Sequence, residues 1–408
     1  MEVSIYRVRH RDLLTVCVLA LLCLGAIMVQ SASTTLSGDV KWGWSQRGVR
    51  NLAYAVAAFV AYLAVGHIDY ASLARRTAAI WRSPVVWLTA AAGASCVAVL
   101  VKGIGKEING ARRWILLGPI QIQPSELAKW SVVVFLAWWL ARPPVDLNKF
   151  FKGFLPTVIP IGVICLFVVI EDFGTAALIG LCTLVMLLAG RVRLRHLAVV
   201  IPPALAAAFW FVRHEPYRWL RMTAFLDPWK NPQGEGYHMV QSLLSFSTGG
   251  ILGRGLGNGI QKLGYLPEDT TDFIFAVICE ELGVFGAMLT VALYLGILYV
   301  AWQAIRQKRD DFGRLLAFGV GSMLGLQAII NMAVATVSVP TKGMSLPLVS
   351  AGGSGLIITC AALGLLYSVM RFEHDGPAEE TDRETDRELE PEAGAEVAEH
   401  PAPTAATA

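Results

Sequence analysis

Charge is scarce in this sequence. Only 16% of its 408 residues are Asp, Glu, Lys or Arg, where soluble domains carry about 25%, so an ordinary soluble domain is excluded. Cysteine is present but never where a secreted disulfide framework needs it. All seven (17, 23, 96, 165, 182, 279, 360) fall in apolar runs, with no CxxC spacing. The seven histidines show no metal-ligand pattern, and His214 and His238 merely share a loop, which argues against zinc. The run GGILGRGLGNG at 249–259 has the glycines of a nucleotide loop but no preceding strand and no following Lys-Ser/Thr. It reads instead as a mobile loop over a substrate. There is no strong internal repeat and nothing that points to nucleic acid.

What is abundant is apolar sequence: 55% of residues are hydrophobic, twelve are Trp, and the mean hydropathy is +0.54. The apolar residues gather in ten runs, at 13–30, 52–65, 85–101, 127–140, 154–170, 176–190, 197–212, 273–300, 315–337 and 356–370. Their lengths approach the ~20 residues that cross a bilayer as a helix. The expected fold is therefore all-α, a polytopic integral membrane protein with about ten transmembrane helices. An even number of spans puts both termini on one side. The loops on that side carry dense basic clusters, Arg7/Arg9/Arg11, Arg75/Arg76/Arg82, Arg142/Lys149/Lys152, Arg191/Arg193/Arg195 and Arg306/Lys308/Arg309/Arg314, which marks it as cytoplasmic. The first run lacks a clean small-residue cleavage site and reads as a signal anchor.

The net charge of +3 conceals a split: eleven Asp/Glu against two Arg give residues 375–408 a charge of −9, leaving +12 on residues 1–374. Residues 1–374 read as one membrane domain, and 375–408 as a disordered acidic cytoplasmic tail. Three segments on the outer side are too rich in polar residues to be simple connectors: 102–130, the long loop 213–272 between helices 7 and 8, and 338–355. Lying on one side, they can assemble into one site. Within the long loop, Met239, Leu243 and Phe246 have helical spacing and suggest a helix along the membrane interface.

Five acids surround the start of the eighth span, in YLPEDTTDFIFAVICEELG at 265–283. Asp272, at the mouth of the span, fits either a helix-terminal acid or a general base positioned where a headgroup meets the membrane. Both roles can hold at once. Glu280, eight residues on, would lie about 12 Å deeper in an unbroken helix, and Glu281 points about 180° away from Asp272. Glu126 and Lys129, three apart at a helix start, read as a mutual ion pair or as a lysine awaiting an anionic group. Arg112 and Arg113 before Trp114 read as a phosphate clamp or as part of the interfacial belt. Lys342 with the glycines at 352 and 353 reads as an anion site or as a tight re-entrant turn.

The motifs GARRWI…GPIQIQPSELAKW, FLDPWKNPQGEGYHMVQSL…GYLPEDTTDFIFAVICEELG and VPTKGMSLPLVSAGGSG, in that order, resemble the SEDS family (shape, elongation, division and sporulation), the FtsW/RodA peptidoglycan glycosyltransferases. The resemblance spans residues 10–372, and PTKG followed by LPLVS is closer to the FtsW branch than to RodA. It implies polymerisation of lipid II into glycan strands at the outer face of the cytoplasmic (inner) membrane, during cell division. It makes Asp272 the catalytic acid–base residue. Lys129, Arg113, Trp114, Lys342, Glu126, Glu268 and Arg47 become the candidate substrate-binding residues, with a divalent cation (Mg or Mn) as a candidate helper whose ligands are unknown. A class B penicillin-binding protein transpeptidase and other divisome membrane proteins are the implied partners.

The sequence departs from the family's pattern in places. Asp269 and Thr270 follow Glu268, so a usual histidine is missing; Ile170-Glu171-Asp172 replaces a Gln-Pro-Asp; and Ser350-Ala351-Gly352-Gly353-Ser354-Gly355 lacks an aromatic and a hydroxyl. A lipid II flippase, an elongation-type polymerase and a non-enzymatic scaffold are the competing expectations. Charges gathered at one membrane face weigh against a transporter, whose site lies near the midplane.

Overall fold

The computed structural model describes residues 9–33, 45–74, 80–108, 111–118, 120–142, 145–341 and 343–372. Lys342, Arg7, Arg75, Arg76 and the acidic segment 375–408 lie outside the described residues. Twelve α-helices are described: α1 (His10–Ser33), α2 (Gln46–Gly66), α3 (Pro84–Leu100), α4 (Pro124–Leu140), α5 (Leu155–Glu171), α6 (Phe173–Ala189), α7 (Leu194–His214), α8 (Pro216–Ala224), α9 (Tyr237–Gly249), α10 (Ile274–Gln307), α11 (Asp311–Ala335) and α12 (Ser354–Arg371). Ten of them have 17 residues or more and coincide with the ten apolar runs; seven are long and apolar enough to cross a membrane, and α3 and α6 are shorter apolar helices. The chain is an all-α polytopic membrane protein.

The helices start where their sequences supply a partner for free N–H groups. Ser45 caps α2 at Gly48 N (2.9 Å), and Asp310 caps α11 at Gly313 N (2.6 Å). Pro at the first position opens α3 and α4. The missing proline at residue 171 does not remove the break before α6. Asp172 leaves helical geometry (φ −142°, ψ 81°) and accepts from both Thr175 N and Thr175 Oγ, so an aspartate cap does the work expected of the proline.

Burial sorts the helices. Fourteen of the seventeen residues of α4 are buried, which makes it the axis of the bundle, packed by α3, α6, α11 and α12. By contrast α7 buries only His196, Leu197 and Val212 and presents the rest of its apolar surface outward, as a peripheral helix in lipid does. α12 lies close along α2: a methyl added at Gly364 would meet Tyr62 O at 2.6 Å. At the basic end, Tyr70 donates to Asp310 (2.8 Å), Ser368 Oγ accepts from Tyr70 N (3.0 Å), and Lys308 donates to Phe372 O. These bonds join the ends of α2, α10, α11 and α12.

The 102–130 segment holds a feature not anticipated, a three-stranded antiparallel sheet of β1 (Gly105–Ile108), β2 (Ala111–Leu117) and β3 (Ile120–Ile122). It sits on the outer ends of α3 and α4.

α10 is not one straight span. Gly283 interrupts it with φ 64° and ψ −157°, a conformation open essentially to glycine alone. The 24 residues after the break, 284–307, reach about 36 Å and suffice alone for the ~30 Å hydrocarbon core. Residues 274–282 form a separate outer half-helix. Glu280 lies about two turns beyond Asp272, as expected from the spacing, on this half-helix and buried inside protein.

Candidate active site at the outer rim

Asp272 stands just before the buried half-helix, and two neighbouring segments hold that half-helix in place. The first is α9, whose buried face (Met239, Ser242, Ser245, Gly249) turns to the protein and bonds Ala335 O through Ser242 Oγ (2.6 Å). The expected interfacial helix thus packs its apolar residues mostly on protein. The second is the glycine-rich run, which is tied down by backbone and carboxylate bonds. Arg254 N and Gly255 N donate to the carbonyls of Glu280 and Glu281 (3.0 and 2.9 Å). The Glu280 carboxylate accepts from Ile260 N (2.8 Å) and Gln261 N (3.2 Å). The Glu281 carboxylate, fully buried, pairs with buried Lys262 (2.7 Å) and accepts from Ser31 (2.8 Å) and Gly257 N (3.1 Å). Spacing set only Glu281 off the Asp272 face, but both glutamates share one structural task, and the glycine-rich run is anchored to them at several points.

The 338–355 segment is the re-entrant turn. Its described residues are non-helical up to 353, yet Leu346, Leu348 and Val349 are buried, and a methyl on Gly25 of α1 would meet Val349 O at 2.5 Å. Irregular backbone at such a place needs side-chain partners. It finds them in Gln327 Nε2 to Ser345 O (2.9 Å), Asn331 Nδ2 to Met344 O (2.7 Å), Tyr294 OH to Pro347 O, and Ser350 Oγ, which accepts from Leu346 N (2.7 Å).

The predicted site residues separate into three groups. Asp272, Arg113 and Glu268 come together. A methyl at Gly343 would stand 3.0 Å from Asp272 Oδ2 and 4.0 Å from Arg113 Nη1, so carboxylate and guanidinium border one spot. Arg113, in β2, is oriented by its Nε–H bond to Glu171 O (2.6 Å), while Arg112 N donates to Glu171 Oε2 (2.7 Å). Burial, reinforced by the charges of Glu268 and Asp172, pushes the Asp272 carboxyl up to about 7; Arg113 and Arg221 pull the other way. Burial likewise lifts Asp269 to about 6, opposed by its own turn's backbone and by Arg47. Arg47, exposed at the start of α2, thus faces Asp269 and acts on the rim from that side.

The second group lies deeper. Lys129 is fully buried and bonded to Glu126 (2.7 Å) and to Gln327 Oε1 (2.7 Å). The ion-pair reading describes this geometry, with the Lys129 ammonium engaged by both partners. Trp114 forms the third: it is half-buried in β2, on the face opposite Arg113 by strand alternation. It does not line the shallow cleft that Arg112, Arg113, Ser125, Phe167, Glu171 and Asp172 share, and neither does Asp272. Among the described residues no group of three or more His, Cys, Asp or Glu is arranged to hold a metal, so no ligand set is assigned to the candidate cation.

Several contributors were not singled out from sequence. Glu171 and Asp172 were noted only as a departure from a motif, and Arg221 on α8 was not noted. Gln327 and Asn331 carried a usable signal: two amides four residues apart in an apolar run share one helix face.

The comparisons with known proteins agree with one another. Residues 11–375 match the family FtsW/RodA/SpoVE, described as "Cell cycle protein". The probable peptidoglycan glycosyltransferase FtsW of Nitrosococcus halophilus is 40% identical over 362 residues, 86% of this chain and 89% of that protein. Its counterpart in Coxiella burnetii is 37% identical over 87% of this chain and 95% of that protein. Among solved structures, a chain from a peptidoglycan synthase complex, described for its coordination of polymerization and crosslinking, superposes with a TM-score of 0.69 at 26% identity, covering 88% of this chain and 96% of that one. The Thermus thermophilus rod shape determining protein RodA gives a TM-score of 0.62 at 26% identity, with 88% and 95% covered.

Proposed function

The chain belongs to the FtsW/RodA/SpoVE family of cell-cycle proteins, and from that premise we propose that it is a peptidoglycan glycosyltransferase that polymerises lipid II, with Asp272 as the general base. In this reading the Asp272 carboxylate takes the proton of the acceptor GlcNAc 4-hydroxyl. The freed oxygen bonds to the anomeric carbon of the donor MurNAc, the bond from that carbon to the pyrophosphate oxygen breaks, and undecaprenyl pyrophosphate leaves. The observation that carries the reading is a carboxyl beside Arg113 at the mouth of the outer half-helix, held near 7 by its surroundings. A base poised near neutral pH combines a useful ionised fraction with real proton affinity. Arg113 and Arg221 supply positive charge against the growing charge of the leaving group, with Lys342 and Arg47 as further candidates. Glu126 and Lys129 shape the wall beneath.

The same reading places the protein in the cytoplasmic (inner) membrane, its rim facing the periplasm or exterior. Residues 1–374 form the membrane domain, and 375–408 an acidic cytoplasmic tail. The relatives named FtsW favour a role in division over elongation. The likeness to a peptidoglycan synthase complex favours a class B penicillin-binding protein transpeptidase as partner, among other divisome membrane proteins.

The test is purified protein, with its partner transpeptidase inactivated, given labelled lipid II. Glycan strands are expected from the parent and none from Asp272→Asn. Translocation of lipid II across vesicles without polymer would support the flippase reading instead.

A further inference from the structure

Three successive carbonyls of the turn that ends in Asp272 are each held from across the site. Ala351 N donates to Thr270 O (2.9 Å), Ser350 Oγ to Thr271 O (2.6 Å) and Asn331 Nδ2 to Asp272 O (2.9 Å). Two of the three donors lie in the re-entrant segment and the third on α11. Asn331 is buried, and its amide nitrogen donates a second bond to Met344 O (2.7 Å). Both of its partners are acceptors, which fixes the amide's orientation: a flip would set Oδ1 against two carbonyl oxygens. Ser350 is doubly engaged as well, donating to Thr271 O while it accepts from Leu346 N.

The Asn331 amide therefore joins the backbone of Asp272 to Met344, next to Gly343, the residue that walls the Asp272 carboxylate. Taking Asp272 as the base, as in the function proposed above, we propose that Asn331 and Ser350 are positioning residues. They lock the Thr270–Thr271–Asp272 turn to the re-entrant segment, so that the base and the Gly343 backbone beside it are set as one unit. Neither side chain needs to touch substrate. Placement of a reacting group is worth large factors in rate, and small displacements are costly.

The charged groups that act on Asp272 are Glu268 in its own turn, Asp172 at the α5–α6 break, Arg113 in β2 and Arg221 in α8; Lys342, beside Gly343, lies outside the described residues. Asn331→Leu, of similar volume, and Ser350→Ala alter none of these charges. A change in the titration of the base then reports a change in its enclosure.

The experiment measures polymerisation of labelled lipid II from pH 5 to 9 by the full-length protein with its inactivated partner. It compares the parent with Asn331→Leu, Ser350→Ala, the double variant and Asp272→Asn, with melting temperatures taken on each sample. The expected result for each single variant is a loss of at least tenfold in kcat, with KM within about threefold. The acid limb of the profile should also move down by half a pH unit or more. The double variant should lose less than the product of the single losses, as residues of one unit do. A rate within twofold of the parent, or a lower rate with the limb unmoved, overturns the clamp; the latter marks a merely structural role. If Asn331→Leu does not fold, Ser350→Ala carries the same decision. Parent-like activity of Asp272→Asn overturns the base assignment itself. An inactive Asp272→Asn beside a parent-like Ser350→Ala and Asn331→Leu overturns the clamp alone.

Discussion

At the scale of single residues the rim is governed by how Asp272 is charged. Its carboxyl is raised to about 7, so the ionised form that accepts a proton is lost as pH falls through 7. The polymerisation rate is expected to drop along an acid limb near that value, read from initial rates across pH. Glu268 raises Asp272 by repulsion; Glu268→Gln removes that charge and should move the limb to lower pH. Asp272→Asn should cost 10²-fold or more, the typical worth of a positioned base. Asp272 stood out in the sequence because an acid at the mouth of an apolar run is conspicuous, but its position left cap and base open and only the motif resemblance implied the base. Asp172 and Arg221 did not, because their influence on Asp272 comes from the α5–α6 break and from α8, which are distant from it in the chain.

At the scale of elements, the half-helix 274–282 and the glycine-rich run are welded by buried charge. Glu281 and Lys262 are both essentially inaccessible and 2.7 Å apart. Removing one partner strands the other, at a cost of about 3–5 kcal/mol. Glu281→Gln is expected to lower the melting temperature of the purified protein markedly. Pairing it with Lys262→Met should restore part of the loss. Gly283→Val combines a backbone that only glycine tolerates with a side chain whose first carbon would meet Gly253 N and Ile251 O at 2.4 Å. Little folded protein should reach the membrane, as judged by a fluorescence-detected size-exclusion profile. The ten apolar runs announced their helices because hydropathy and length suffice to name a span. The break at 283 was hidden, because a glycine inside an apolar run is ordinary in membrane helices and only its φ sets it apart. The sheet at 105–122 was hidden for a related reason: its strands are short, and Gly, Lys and Glu open the first of them.

At the scale of the molecule, the arrangement is a bundle about α4 with its polar segments collected at one end. The basic loops predict which end faces the cytoplasm. In a chain stripped of its seven cysteines, Arg254→Cys should react with an impermeant thiol reagent in intact cells. Gln307→Cys should react only after permeabilisation. The overall plan was readable because membranes force a small choice of architectures. The joint use of α9, α11 and the re-entrant segment to hold one turn was not, since no local pattern encodes which loops meet. The break at Gly283 carries one more consequence. Bilayers differ in thickness, and a span adjusts to each by tilting or bending. The span 284–307 joins the half-helix that follows Asp272 through that glycine, and the half-helix hangs from protein on its far side. The height of the proposed base is thus tied to the bundle on that far side, and its place should vary little with the acyl-chain length of the surrounding membrane.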